Sequence, residues 1–216
     1  MEQNKISLQT LLIASIILIL IELLSAGVIA NTDVFPLIAI GFARITEIAA
    51  MVFILLRWGK GLESVGLLKD KILAGLRRGL AWSAGFGICG LLLMGGLYIL
   101  EYDLLPIFQL PEHESLGGIL LLLFVGALIS PVAEEIFFRG IAYGYLRRRG
   151  VILAVLGSTA LFGMAHALTS GLMFVQIIGG LVFAIAYEME KNLLTPITIH
   201  VLGNMAIFIL SIVLAS

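Results

Sequence analysis

The chain has 216 residues, 61% of them hydrophobic and only 12% charged, with a mean hydropathy of +1.14. A soluble domain of this size is about half apolar and a quarter charged, so this composition excludes a soluble globular protein and points to an integral membrane protein. The net charge of −1 offers no basic face for nucleic acid, and the lone Cys89 makes neither an internal disulfide nor a Cys/His cluster with zinc spacing.

Apolar stretches long enough to span a bilayer are predicted at about 10–30, 35–57, 79–100, 116–146, 151–169, 171–190 and 194–214. The first follows Lys5 and ends in "SAGVIAN", which imitates a signal peptide, but the stretch is long for one and Glu22 interrupts it, so it is expected to be a span. The second carries Arg44 and Glu47, three apart on one helix face, where they can pair and reach toward Glu22. Between spans two and three, "LESVGLLKDKILAGLRRG" (62–79) reads either as an amphipathic helix on the membrane surface or as a solvated connector with a basic flank. The fourth stretch is long for one span, and a bend is expected at Pro131. Gly75 with Gly79, and Gly140 with Gly144, are small residues four apart that allow close helix packing.

The basic residues set the orientation. Of the 13 lysines and arginines, all but Arg44 and Arg139 fall before span one, between spans two and three, after span four or after span six. These connections lie on one side, whereas the opposite side carries Asp33, Glu101, Asp103, Glu112 and Glu114. The basic side is cytosolic by the positive-inside rule. The expected fold is therefore an all-α polytopic transmembrane bundle of about seven spans, N-terminus cytosolic and C-terminus external. The whole of 1–216 is one integral membrane domain with its functional motifs within about 116–214.

A charged side chain near the centre of a spanning helix costs about 2.5–3.5 kcal/mol on insertion scales, so such residues face the bundle interior and have partners. Arg44 with Glu47 reads as a structural ion pair. Glu134, Glu135 and Arg139 are different. Glu135 and Arg139 are four apart and can pair directly, but Glu134 is rotated about 100° from Glu135 and cannot share that arginine equally. One carboxylate is left seeking another partner. Candidates lie on later spans: His166 in "LFGMAHALTSG", and His200 with Asn204 in "PITIHVLGN". The expected resolution is one wet buried cavity to which all of them converge, while His113 is solvated in the external acidic loop. Such a cavity suits hydrolysis. Apolar surroundings disfavour a carboxylate's anion and bring it toward the strength of a useful general base. A Glu and a neutral His can hold one water, and a second His with an Asn amide can donate to an oxygen that becomes negative. No serine or cysteine is placed as a nucleophile; Ser130 is near the glutamates but nothing marks it as activated.

In the order "EEIFFR" (134–139), "FGMAH" (162–166) and "HVLGN" (200–204), these residues make the patterns EExxxR, FxxxH and HxxxN. On successive membrane helices they resemble the CPBP family, which includes the CAAX prenyl endopeptidases and the bacterial Abi proteins. The motifs cover 134–204, with no departure at a motif position, and the N-terminal half matches only in being hydrophobic. The resemblance implies a glutamate-dependent intramembrane endopeptidase acting on a membrane-associated peptide or lipidated protein tail. In it Glu134 would be the general base, His166 would help hold the attacking water, and His200 and Asn204 would form the oxyanion hole. Glu135 and Arg139 would fix the helix and position Glu134, with Phe162 a packing residue. No cofactor is expected; zinc is the weaker alternative, since the HExxH spacing is absent. Partners are membrane lipid and a peptide or lipidated protein substrate, in a prokaryotic plasma membrane. Two other classes stand beside this one. One is a non-catalytic membrane scaffold or bacteriocin-immunity protein of the same fold. The other is a small transporter with a proton relay, against which no internal repeat is visible.

Glu134 lies 13 residues before Arg147, about 20 Å along a straight helix, whereas His200 is near the start of span seven. The two depths agree if the end of span four projects past the membrane and the cavity opens to the cytosol.

Overall fold

The computed structural model describes residues 6–102, 115–166 and 173–215, and His113 falls outside them. Each of the seven predicted spans is a helix: α1 (Leu8–Asn31), α2 (Pro36–Trp58), α3 (Ile72–Ile99), α4 (Leu116–Arg149), α5 (Val151–His166), α6 (Met173–Glu190) and α7 (Leu194–Ala215). Of these, α1, α2, α3, α4 and α7 are long and apolar enough to cross a membrane. Among the described residues there is no strand. The fold is an all-α polytopic bundle.

Local chemistry sets several helix ends. Ser7 caps α1 by accepting a hydrogen bond from the Thr10 N–H at 3.0 Å. Pro36 opens α2, where its missing N–H costs nothing. The connection after α2 differs from both sequence readings. It is two short 3₁₀ turns, Leu62–Val65 folded against the bundle and Lys69–Lys71 left at the surface, before the helix begins at Ile72. Val65 is fully buried and its carbonyl accepts from the Tyr187 hydroxyl at 3.1 Å. Gly66 makes this turn possible with a φ of +77°, and a Cβ there would sit 2.7 Å from the Lys191 carbonyl oxygen. Consequently α3 starts at Ile72 rather than 79. Its 28 residues run about 42 Å, longer than the hydrocarbon core, so Arg77 and Arg78 lie on its first turns.

The small-residue pairs mark where helices touch. A Cβ on Gly75 would meet the Asn192 amide at 2.6 Å, and one on Gly79 would meet Thr198 Cβ at 2.4 Å, so both serve the approach of α3 to the start of α7. Gly140 and Gly144 admit Val65 and Ile6 against α4.

The central element is α4, which packs on α1, α2, α5, α6 and α7. It is not a regular α-helix. Leu123–Ile129 and Ile136–Tyr143 are π-helical and flank the α-helical Ser130–Glu135. The irregularity expected at Pro131 therefore takes the form of a widened helix on both sides of the proline. Proline has no N–H and its ring crowds the carbonyl four residues back, and a π turn is one way to relieve both. The Ser130 N–H reaches back five residues, to the Val125 carbonyl. π turns inside α-helices are frequent at functional sites, and here they bracket the paired glutamates.

Candidate functional site

The site is built from α4 outward. Glu135 and Arg139 are both fully buried, and the Arg139 guanidinium donates to Glu135 Oε1 at 3.1 Å across one helical turn. Its other terminal nitrogen donates to the Gly180 carbonyl of α6 at 3.0 Å. The guanidinium lies 4.7 Å from the Phe162 ring centroid and 5.3 Å from that of Phe183. A buried arginine thus gains a carboxylate, a carbonyl and two aromatic faces, which together offset its desolvation. Gly180 leaves room for it, since a Cβ there would stand 3.4 Å from the guanidinium and 3.2 Å from Thr159 Cγ2.

His200 is 3% exposed and stacks on Phe183 with ring centroids 4.5 Å apart. Its Nδ1 lies 2.9 Å from Glu135 Oε1 and its Nε2 lies 3.8 Å from Glu134 Oε2. His166 presents Nε2 to the same Glu134 oxygen at 3.6 Å, while its Nδ1 donates to the Phe162 carbonyl at 2.9 Å. So Glu134 is the carboxylate that Arg139 does not bind, and two imidazoles from α5 and α7 meet it. Its Oε2 is buried and has no hydrogen-bond partner among the described residues. The gaps of 3.6 and 3.8 Å are too long for direct hydrogen bonds, the range over which a water can intervene. Phe162 does more than pack, because its ring touches both histidines and Arg139 and its carbonyl orients His166.

Asn204 is placed differently from its partners. Its amide donates to the Gly126 carbonyl at 3.0 Å. The local backbone explains why that carbonyl needs a donor. The Ser130 N–H is committed to Val125, and residue 131, next in the π pattern, is a proline with no N–H to give. Gly126 is also a point of close approach to α7, since a Cβ there would lie 2.6 Å from the Phe208 ring.

Two features were missed or underweighted in the sequence. Glu188 of α6 binds Arg147 through both oxygens at 3.0 Å, Lys191 at 2.6 Å and the Tyr143 hydroxyl, tying the end of α4 level with the end of α6. A glutamate ending an apolar run was the available signal. The Arg44 cluster has the expected partners, Glu47 and Glu22, each at 2.5 Å. However, α2 packs beside Ser130–Glu135, and Arg44 lies within electrostatic range of Glu134. Among the described residues, no group of three or more His, Cys, Asp or Glu side chains is arranged to hold a metal ion.

Residues 116–206 match the family described as type II CAAX prenyl endopeptidase Rce1-like. Two bacterial proteins are similar over part of the chain. The "Putative membrane peptidase YdiL" of Bacillus subtilis (strain 168) is 29% identical over 100 residues, 46% of this chain and 41% of that protein. The "Membrane-embedded CAAX protease MroQ" of Staphylococcus aureus (strain USA300) is 32% identical over 91 residues, 38% of this chain and 36% of that protein. The chain thus spans well under half the length of the curated relatives it matches. No solved structure matches it. With five helices among the described residues long and apolar enough to cross a membrane, and with bacterial membrane relatives, this is an integral protein of a prokaryotic plasma membrane. All three motifs, and with them Glu134, Glu135, Arg139, His166, His200 and Asn204, lie inside the segment through which the chain is similar to the type II CAAX prenyl endopeptidase Rce1-like family.

Proposed function

We propose that the chain is a membrane-embedded endopeptidase in which Glu134 activates a water against a peptide bond. The supporting observation is the buried Glu134 Oε2 that Arg139 does not hold and that two imidazole nitrogens approach at 3.6 and 3.8 Å. A water between those three atoms would have acceptors on every side and two protons to give. Glu134 takes one of them as the water oxygen adds to the carbonyl carbon, and His166 holds the water in line. The amide of Asn204 has a second N–H beyond the one given to Gly126, and it is the candidate donor for the developing oxyanion. The substrate class that fits is a peptide or lipidated protein tail reaching the site from the bilayer.

The test compares membranes of cells carrying the chain with those of a Glu134→Ala strain by mass spectrometry. Peptides that accumulate uncleaved in the variant are the expected result, and purified protein should cleave synthetic versions of them. Retained cleavage by both Glu134→Ala and His166→Ala would sink the reading. A scaffold reading draws on the internally paired part of the core, Arg139 with Glu135 and Asn204 with Gly126. Full rescue of a deletion by Glu134→Gln would favour it.

A further inference from the structure

The partner of each imidazole decides which of its nitrogens carries the proton. For His200 that partner is Glu135 Oε1, 2.9 Å from Nδ1. The same oxygen already accepts a hydrogen bond from Arg139 at 3.1 Å, so it faces His200 as an acceptor and Nδ1 donates to it. A neutral imidazole has one N–H, which leaves Nε2 with a lone pair. That lone pair is turned toward Glu134 Oε2, 3.8 Å away. Stacking on Phe183 and near-complete burial hold the ring in this orientation. A lone pair cannot donate to an oxyanion, so His200 as the neutral ring does not supply the hydrogen bond that the motif resemblance assigns to it.

The geometry points to another division of labour: Glu135 is a positioning residue that holds His200 as the Nδ1–H tautomer, and His200 carries a proton through Nε2 from Glu134 to the leaving nitrogen. This inference rests on the endopeptidase reading and deepens it. The proton count closes. A water O–H breaks, its proton goes to Glu134 Oε2, and the oxygen lone pair forms the bond to the carbonyl carbon. The proton then passes from Oε2 to His200 Nε2, and the imidazolium is stabilised by the Glu135 carboxylate on its far side. The C–N bond breaks with its electron pair going to nitrogen, which takes the Nε2 proton. The products are one carboxylic acid and one amine, and Glu134 and His200 return to their starting states. His200 can donate to the oxyanion only while it is the imidazolium.

Two measurements on the full chain in detergent test this. The first labels the histidine rings with ¹⁵N and assigns His200 by the signals lost in His200→Gln. The expected spectrum of neutral His200 has a protonated Nδ1 and a bare Nε2, and the opposite tautomer overturns the proposal. No substrate is needed, so this result is independent of whether the chain is a peptidase. The second uses a synthetic version of a peptide that accumulates in Glu134→Ala membranes, made with either an amide or a thioester at the scissile bond. A thiolate leaves without needing a proton, whereas an amide nitrogen does need one. His200→Gln and Glu135→Gln should therefore lose about 100-fold more rate on the amide than on the thioester. Glu134→Gln should lose rate on both. Equal losses on both substrates in His200→Gln would point to a lost oxyanion donor and overturn the proton-carrying role. A Glu135 that only stabilised the fold would lower the amount of folded protein without splitting the two substrates. Cleavage of neither substrate by the unaltered chain overturns the endopeptidase reading and proton carriage with it, while the spectrum still decides the tautomer.

Discussion

Between α1 and α2, one guanidinium holds two carboxylates: Arg44 binds Glu22 and Glu47. Between α4 and α7, one guanidinium binds only one of two adjacent carboxylates, and the other faces histidines instead. Both clusters sit among apolar helices, and both charge sets would be expelled by hydrocarbon if unpaired. The difference lies in how the charges are distributed. In the first cluster each acid has its cation, an arrangement that contributes cohesion. In the second, Glu134 is withheld from Arg139 by its position on the helix, and the groups that reach it are imidazoles that can exchange protons. An intramembrane charge marks chemistry when it is left without a fixed counterion and given titratable neighbours.

The largest break in this comparison is Glu134→Gln. The amide keeps the shape and should keep the fold, but it cannot take a proton from water. General base catalysis contributes about 10²–10⁴-fold, so cleavage of an identified substrate should fall by about 10³-fold, with the unfolding midpoint in detergent little changed. Loss of folding with loss of cleavage would return Glu134 to the structural class occupied by Glu47.

Next comes Arg139→Ala. It leaves Glu135 fully buried with His200 but without its cation, and it vacates the space beside Phe162 and Phe183. Removing one partner of a buried pair costs about 3–5 kcal/mol, and the loss should appear as a large drop in the unfolding midpoint. Arg139→Lys should recover only part of it, because an ammonium lacks the fork that reaches both Glu135 and the Gly180 carbonyl.

Glu47→Ala tests the other cluster. Arg44 keeps Glu22, so the expected cost is the lost charged hydrogen bond, about 1.5–3 kcal/mol. Activity per folded molecule should stay within a few-fold. Loss of cleavage at unchanged stability would join the two clusters into one site, and the proximity of Arg44 to Glu134 makes that a real alternative.

How much of this could be read from the chain itself divides along physical lines. The seven helices follow from runs of apolar residues, a signal that depends only on local composition. The Glu135–Arg139 pair follows from i,i+4 spacing, and the Arg44–Glu47 pair from i,i+3, because helix geometry alone fixes both. The convergence of Glu134, His166 and His200 could be anticipated from cost, since each needed a partner. What spacing could not supply was the contact between His200 and Glu135, which depends on how α7 docks against α4. The connection 62–79 was misread for a similar reason. Its alternating pattern fits a surface helix, but the burial of Val65 under Tyr187 is a long-range contact that no local pattern encodes. The π turns of α4 were legible only as a proline in a long span.

The smallest expected effect bears on Asn204, the motif residue whose role the two clusters do not settle. Its amide satisfies the Gly126 carbonyl, which lacks a backbone donor because residue 131 is proline and the Ser130 N–H goes to Val125. Asn204→Ala should therefore cost about 1 kcal/mol for a partly buried acceptor left unpaired, whatever it does to catalysis. Pro131→Ala restores an N–H at the position from which the π pattern would serve Gly126. If the carbonyl is the source of the cost, the two substitutions are coupled, and the double variant should be more stable than the sum of the single losses allows, by about 1 kcal/mol. Activity then separates the two roles of Asn204. Should the double variant regain stability but not cleavage, the second N–H of Asn204 belongs to the reaction and the first to the helix. Should both return together, the asparagine serves α4 alone, and the oxyanion must be met by another donor.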